Sequence, residues 1–145
     1  MAETLGSLCD KLTIVKLKQY HADDAERLTS LAEQQVNLAN EIDDFISKAI
    51  AGEIPVNRLT FKANKVFKPE GNETRNFKGT IGEVFAKLAD INCLLWHEQE
   101  KVFEFETVPA AQKDTVVKKL AILNLERNKC IDEIDNSFKT FIENK

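Results

Sequence analysis

Apolar residues recur at alternating steps of three and four along the chain, the spacing that places side chains on one face of an α-helix. The clearest apolar stripes are Leu28, Leu31, Gln35, Leu38, Ile42, Phe45 and Ala49; Ile81, Val84, Leu88, Ile91, Leu95 and Val102; and Val116, Leu120, Leu123, Arg127, Cys130 and Ile134, continued by Phe138, Phe141 and Ile142. With an opening segment from Leu5, they predict four amphipathic helices packed along antiparallel seams.

Local signals predict where these helices begin and end. Asp23 followed by Glu26 has the spacing of a helix N-cap and its third residue, so we expect a bend near Ala22. Pro109 suits the first turn of the last helix, and Gly52 follows the end of the second.

The first and third segments also resemble each other in sequence. With an offset of 76 residues, five of the eighteen positions from Thr4 to His21 are identical, against about one expected by chance. A second match, at an offset of 92, aligns Leu28 with Leu120. Because the second offset is larger, the later hairpin should have the longer helices.

The fold predicted from these patterns is all-α, a four-helix bundle made of two duplicated helical hairpins joined by a long basic connection. The hairpins are expected at 3–51 and 80–143, with the connection at 52–79, in a single domain 1–145. At 43% hydrophobic residues the chain is apolar enough to bury a core without disulfides.

The connection is a basic island in an acidic chain. Between Ile54 and Gly79, six basic and two acidic residues give +4, against a net charge of −4 for the whole chain. Phe61, Phe67 and Phe77 lie among the basic residues, and a short helix or hairpin is expected around 56–67, with a turn near Pro69. The segment is either a strap whose phenylalanines pack on the bundle or an arm that binds phosphate and stacks on a base. The acidic total argues against long nucleic acid as a partner.

The chain shows no secretory signal and no apolar run long enough to span a membrane, so we expect a cytoplasmic location. Cys9, Cys93 and Cys130 are odd in number, far apart and set in apolar segments. We interpret them as reduced, buried residues.

The first and third helices each carry a second face of small and apolar residues, including Gly6 and Gly82. Small residues let helix backbones approach closely. This face is expected to pack either helix one against helix three or one subunit against another, so a protein partner or a homodimer is predicted.

His21 and His97 lie on that second face, and each has an acidic residue three positions later, Asp24 and Glu100. In a helix this spacing puts a carboxylate beside the imidazole, where the two could share a proton or a metal. The neighbouring helices offer no clear bridging set of ligands, so no metal and no other cofactor is favoured.

Arg127 occupies a position on a core stripe, where an unpaired charge would be very costly. Asn92, Asn124, Asn128 or Asp90 could supply its partner, in a structural network or in a ligand pocket. The candidate ligand-binding residues are Arg75, Trp96, His97, Glu100, Arg127, Asn128, His21 and Asp24. No catalytic residue is assigned, because the chain contains no P-loop, nucleophile elbow or other catalytic motif.

Three runs of the sequence resemble a bacterial family of small helical proteins of unknown function. They are LCDKLTIVKLK at 8–18, LLWHEQE at 94–100 and LERNKCIDEID at 125–135. The resemblance implies a cytoplasmic helical protein, often encoded near glycosyltransferases of cell-surface polysaccharide synthesis. It assigns no catalytic residue, and the basic connection is not part of the shared pattern.

Two functional hypotheses follow from the sequence. The first is a non-catalytic helical interaction module, dimeric or bound to another protein, that accompanies sugar-transfer enzymes. The second is a small enzyme or ligand-binding protein that uses the histidine and acid pairs with Arg75 and Arg127 around an anionic sugar, a nucleotide or a metal-bound substrate.

Overall fold

The computed structural model describes residues 2–62 and 67–145 of the chain. Its four α-helices are α1 (Leu5–His21), α2 (Ala25–Ile50), α3 (Ile81–Phe103) and α4 (Ala110–Glu143), with single-turn 3-10 helices at Val56–Arg58 and Phe105–Thr107. The described residues contain no strand, and the predicted all-α four-helix bundle is confirmed.

The helices begin close to where the sequence signals placed them. Thr4 caps α1 through a capping box with Ser7, in which each side chain accepts a hydrogen bond from the other residue's N–H. The α1–α2 bend falls at Ala22 as expected, but the cap of α2 is Asp24 rather than Asp23. Pro109 immediately precedes α4 instead of occupying its first turn.

Helix α1 contacts each of the other three helices. It forms an antiparallel hairpin with α2 and runs antiparallel to α4, while α3 and α4 form the second hairpin. Beside α3 it runs parallel, since both residue numbers rise from the Thr13–Asn92 contact to the His21–Trp96 contact. The helices α3 and α4 have 23 and 34 residues against 17 and 26 in α1 and α2, so the second hairpin is longer.

The core is assembled from the predicted apolar stripes. Its fully or nearly fully buried members include Leu5, Cys9, Ala49, Leu59, Val84, Leu88, Ile91, Leu123, Cys130, Ile134 and Phe138. Leu59 belongs to the connection rather than to a helix, and Phe77 of the same segment packs against the core. The described part of the connection is therefore a strap, although Phe61 remains 42% exposed. Residues 63–66, part of the helix or hairpin predicted at 56–67, lie outside the described residues.

Some residues assigned to the core are exposed. Leu28, Val102 and Phe141 lie close to helix ends, where an apolar stripe continues past the packed length of the bundle. Tyr20 is 83% exposed, and Cys93, predicted to be buried, is exposed as well. Both face an open groove between α1 and α3.

Only one of the two predicted close-contact glycines is crowded. A Cβ atom on Gly6 would lie 2.6 Å from the carbonyl oxygen of Ile131 and 2.8 Å from Oδ1 of Asp135. Gly82 has no such neighbour within 4 Å. The close approach at Gly6 is thus between α1 and α4, and neither glycine is crowded by the other helix of the predicted contact between helix one and helix three.

Candidate functional site

Arg127 of α4 pairs with Asp10 of α1. Its Nε donates to Oδ1 at 2.8 Å and its Nη2 donates to Oδ2 at 2.5 Å, the two-point geometry that guanidinium and carboxylate groups favour. Asp10 is 4% exposed, whereas a third of the Arg127 side chain reaches solvent. The prediction that Arg127 needs a partner was right, but its ion-pair partner, Asp10, was not among the residues proposed from the sequence.

Asn92, one of those proposed partners, joins the same network from α3. Its Nδ2 donates to Oδ1 of Asp10 at 3.0 Å and to the Thr13 hydroxyl at 2.7 Å. Asn92 is 1% exposed. Three helices therefore meet at one buried carboxylate, which fixes their relative rotation in a way that apolar contacts alone cannot.

Arg75 attaches the strap to α4. Its backbone N–H and its guanidinium all donate to Glu126, at distances from 2.8 to 3.3 Å. Burial acts to raise the pKa of Glu126, but the hydrogen bonds from Arg75 outweigh it and the pKa is lowered. Arg75, whose side chain is 59% exposed, is thus paired with a buried carboxylate and holds the strap against α4.

Among the described residues, Asp135 of α4 is the buried carboxyl group that has no cationic partner. Its Oδ1 accepts a hydrogen bond from the Gly6 N–H at 2.7 Å, while its Oδ2 has no hydrogen-bond partner among the described residues. Burial raises the pKa of Asp135 to about 6, and the hydrogen bonds from the Thr4 side chain and the Gly6 N–H oppose this only in part. The group is therefore easier to bury protonated than ionised.

We expect this carboxyl group to destabilise the fold as the pH rises. A folded-state pKa of about 6, against 3.8 for the free group, gives a stabilisation that is complete below about pH 4 and lost above about pH 6. The loss is about 3 kcal/mol, from a shift of about two pKa units. Asp135→Asn should remove this dependence, so its free energy of unfolding relative to wild type should rise by that amount between about pH 4 and pH 7.

Urea unfolding of both proteins across this range measures the difference. Taking the difference between variant and wild type cancels the opposite contribution of Glu126 and Glu98, whose lowered pKa values destabilise the fold as the pH falls. Parallel pH profiles for the two proteins would show that Asp135 is ionised in the fold at no cost.

At the other end of α1, the rings of Tyr20, Trp96 and His97 surround His21. Its ring stacks on Trp96 with centroids 4.6 Å apart and planes inclined by 10°, and His97 lies edge-on with its centroid 6.4 Å away. Both histidines are exposed and Trp96 is half-buried. The structure thus brings three of the predicted candidate residues together.

The predicted acid partners of the histidines do not join them. Helix α1 ends at His21, so Asp24 is not on the same helix, and its carboxylate instead accepts a hydrogen bond from the Glu26 N–H at 3.1 Å. Glu100 is exposed one turn beyond His97 on α3, with no hydrogen bond between the two. The spacing argument for histidine and acid pairs was therefore wrong at Asp24.

The parallel helices α1 and α3 leave an open groove between them, with a volume of about 610 Å³. It is lined by Thr13, Lys16, Leu17, Tyr20, His21, Phe85, Ala89, Cys93 and His97. Three pairs that the 76-residue offset aligns, Thr13 with Ala89, Leu17 with Cys93 and His21 with His97, all lie in this groove. We call it the α1–α3 groove.

Asn128 and Arg127 line a separate polar pocket beside Asp10 and Asp135, with a volume of about 410 Å³. The candidate residues are therefore divided among the strap contact, this polar pocket and the histidine end of the bundle. Sequence reasoning did not select Asp10, Lys16 or Cys93. A carboxylate within the apolar run around Leu8 and Cys9 was the signal that could have identified Asp10.

Comparisons of the chain with known protein families, with curated proteins and with solved structures find no match. Among residues 2–62 and 67–145, no helix is long and apolar enough to cross a membrane. Within the same residues, no three His, Cys, Asp or Glu side chains are grouped so that they could hold a metal ion.

Proposed function

We propose that the protein is a non-catalytic interaction module whose α1–α3 groove binds an acidic amphipathic helix of a partner protein. The observation that carries the proposal is the chemistry of the groove. Leu17, Phe85 and Ala89 give it an apolar wall and floor, while Lys16 and two histidines lie at its edges and no carboxylate lines it.

A third helix could pack into the gap between the two parallel helices α1 and α3. The groove extends from Thr13 to His21 on α1, eight residues or about 12 Å at 1.5 Å per residue. A partner helix would therefore contribute two to three turns, with apolar anchors at steps of three and four facing the groove. Carboxylates on the flanks of that helix would meet Lys16.

Charge favours another protein over a second copy of this chain. In a homodimer formed through the same face, Lys16 of one copy would meet a surface that also lacks carboxylates, so no opposite charge would compensate it. The resemblance to a family encoded near glycosyltransferases makes an acidic helix of a sugar-transfer enzyme the partner to test first.

A designed acidic amphipathic peptide helix, titrated calorimetrically into the protein, tests the proposal. We expect Ala89→Glu, which introduces a carboxylate into the groove, to weaken binding by at least about tenfold because that charge would be buried against an acidic ligand. Ala86→Glu is the matched control, since Ala86 is exposed on the same helix and does not line the groove.

Equal affinities for the two variants, or binding of a basic version of the peptide with the same affinity, would refute this assignment. Sedimentation over a range of protein concentrations tests the alternative that a second copy of this chain occupies the groove. A dimer that Ala89→Glu dissociates and Ala86→Glu does not would mean that the groove is a self-association surface.

A further inference from the structure

A third cavity, with a volume of about 390 Å³, lies at the α1–α2 turn, where the stacked His21 and Trp96 rings form part of its lining. Its polar and aromatic lining comprises Lys18, His21, Arg27, Ser30, Gln34 and Trp96. The size lies within the range of pockets that hold small ligands. Two cations therefore face one cavity, and no carboxylate is among its lining residues.

Lys18 and Arg27 differ from Arg75 and Arg127 in their lack of a carboxylate partner among the residues that the structure describes. Arg75 and Arg127 are each matched by a buried carboxylate, but within the described residues neither Lys18 nor Arg27 forms an ion pair. Asp24, three residues before Arg27 in the chain, is engaged in capping α2. Two positive charges thus remain available at the mouth of one concave site.

The cavity also has a hydroxyl group that can donate a hydrogen bond. Nε2 of Gln34 donates to Oγ of Ser30 at 3.2 Å, so the Ser30 hydroxyl accepts from within the protein and keeps its own proton to donate. A phosphate group offers several acceptor oxygens and a charge of up to −2 near neutral pH, which matches one hydroxyl donor and two cations.

We propose that this cavity binds a small organic phosphate. Lys18 and Arg27 hold the phosphate, Ser30 donates a hydrogen bond to it, and the edge of the Trp96 and His21 stack forms an apolar wall for the organic part. The site is independent of the proposed helix-binding function. It shares only His21 with the α1–α3 groove, and Trp96 does not line that groove.

The position of Trp96 supplies a direct readout, because it is the only tryptophan in the chain. Phenyl phosphate and pyrophosphate would each be titrated at constant ionic strength while the emission of Trp96 is recorded. We expect a saturable change with both probes, and tighter binding of phenyl phosphate because its ring contacts the aromatic wall.

The double variant Lys18→Gln with Arg27→Gln should weaken binding by at least about tenfold, since each cation contributes a charge-assisted hydrogen bond. Both residues are exposed, so the variant should fold, and its melting temperature without ligand checks this. Lys87→Gln with Arg58→Gln is the matched control, because it removes the same two charges from exposed positions outside the cavity.

Unchanged affinity in the Lys18 and Arg27 variant, or no saturable change with either probe, would overturn the assignment. Since Ala89→Glu alters the groove and not this cavity, it should leave the phosphate titration unchanged. The two proposals can therefore fail separately.

Discussion

Leu88→Ala is expected to lower the free energy of unfolding by about 2–5 kcal/mol. Leu88 lies in the middle of α3 and is 0% exposed within the core cluster. Truncating it removes apolar contacts and leaves a cavity that rigid neighbouring helices close only in part. Urea unfolding should show a lower midpoint with an unchanged slope, because the surface exposed on unfolding hardly changes.

Phe103→Ala provides the control on the same helix. It removes a larger side chain, but Phe103 is 79% exposed, so the free energy of unfolding should change by no more than about 0.5 kcal/mol. If the two variants unfold at the same midpoint, burial along the α3 stripe does not determine the stability of the bundle.

The helices of this protein could be predicted because their signals are local. Val84, Leu88 and Ile91 recur at helical spacing, and each is buried in the structure as that spacing requires. The bend near Ala22 could be predicted for the same reason, since a capping side chain acts within a few residues. Such patterns fix which face of a helix is apolar.

Apolar patterns along the sequence do not determine how one helix is rotated against a helix far away in the chain, such as α1 against α4. Asp10 and Arg127 are 117 positions apart, and nothing near either residue identifies the other. The periodicity showed that Arg127 lies on a core stripe, which was enough to predict a partner but not to choose it. The choice depended on α1 packing against α4, a contact that no local pattern describes.

The pairing of His21 with Asp24 failed for a different reason, because a local spacing rule was applied across the end of a helix. A spacing of three residues brings side chains together only within a continuous helix. Helix α1 ends at His21, and the carboxylate of Asp24 satisfies an N–H at the start of α2 instead. The bend predicted near Ala22 already places Asp24 outside the helix that ends at His21, so the pairing was inconsistent with the predicted helix boundary.

The two halves of α1 serve different purposes. Gly6, Asp10 and Thr13 make the buried contacts that hold α1 against α3 and α4. From Lys16 onward the helix faces open surfaces, with the α1–α3 groove on one side and the basic cavity on the other. Substitution of Lys18 in the later half can therefore test binding without removing those buried contacts of Gly6, Asp10 and Thr13.

Asp10→Ala should be among the most damaging substitutions in the earlier half, with an expected loss of about 3–5 kcal/mol in the free energy of unfolding. It leaves Arg127 without its carboxylate and takes one acceptor from Asn92, both in a region that water reaches poorly. The partial exposure of Arg127 places the expected value toward the lower end of that range.

A double-mutant cycle with Arg127→Ala separates the ion pair from the packing of each side chain. If the pair is coupled as its geometry indicates, the double variant should be more stable than the sum of the two single losses predicts, by about 0.5–3 kcal/mol. Lys11→Ala, which removes an exposed residue next to Asp10, should change stability by no more than about 0.5 kcal/mol. Strict additivity in the cycle would mean that the charges of Asp10 and Arg127 do not stabilise each other, and that other contacts, such as the hydrogen bond from Gly6 to Asp135, set the rotation of α1 against α4.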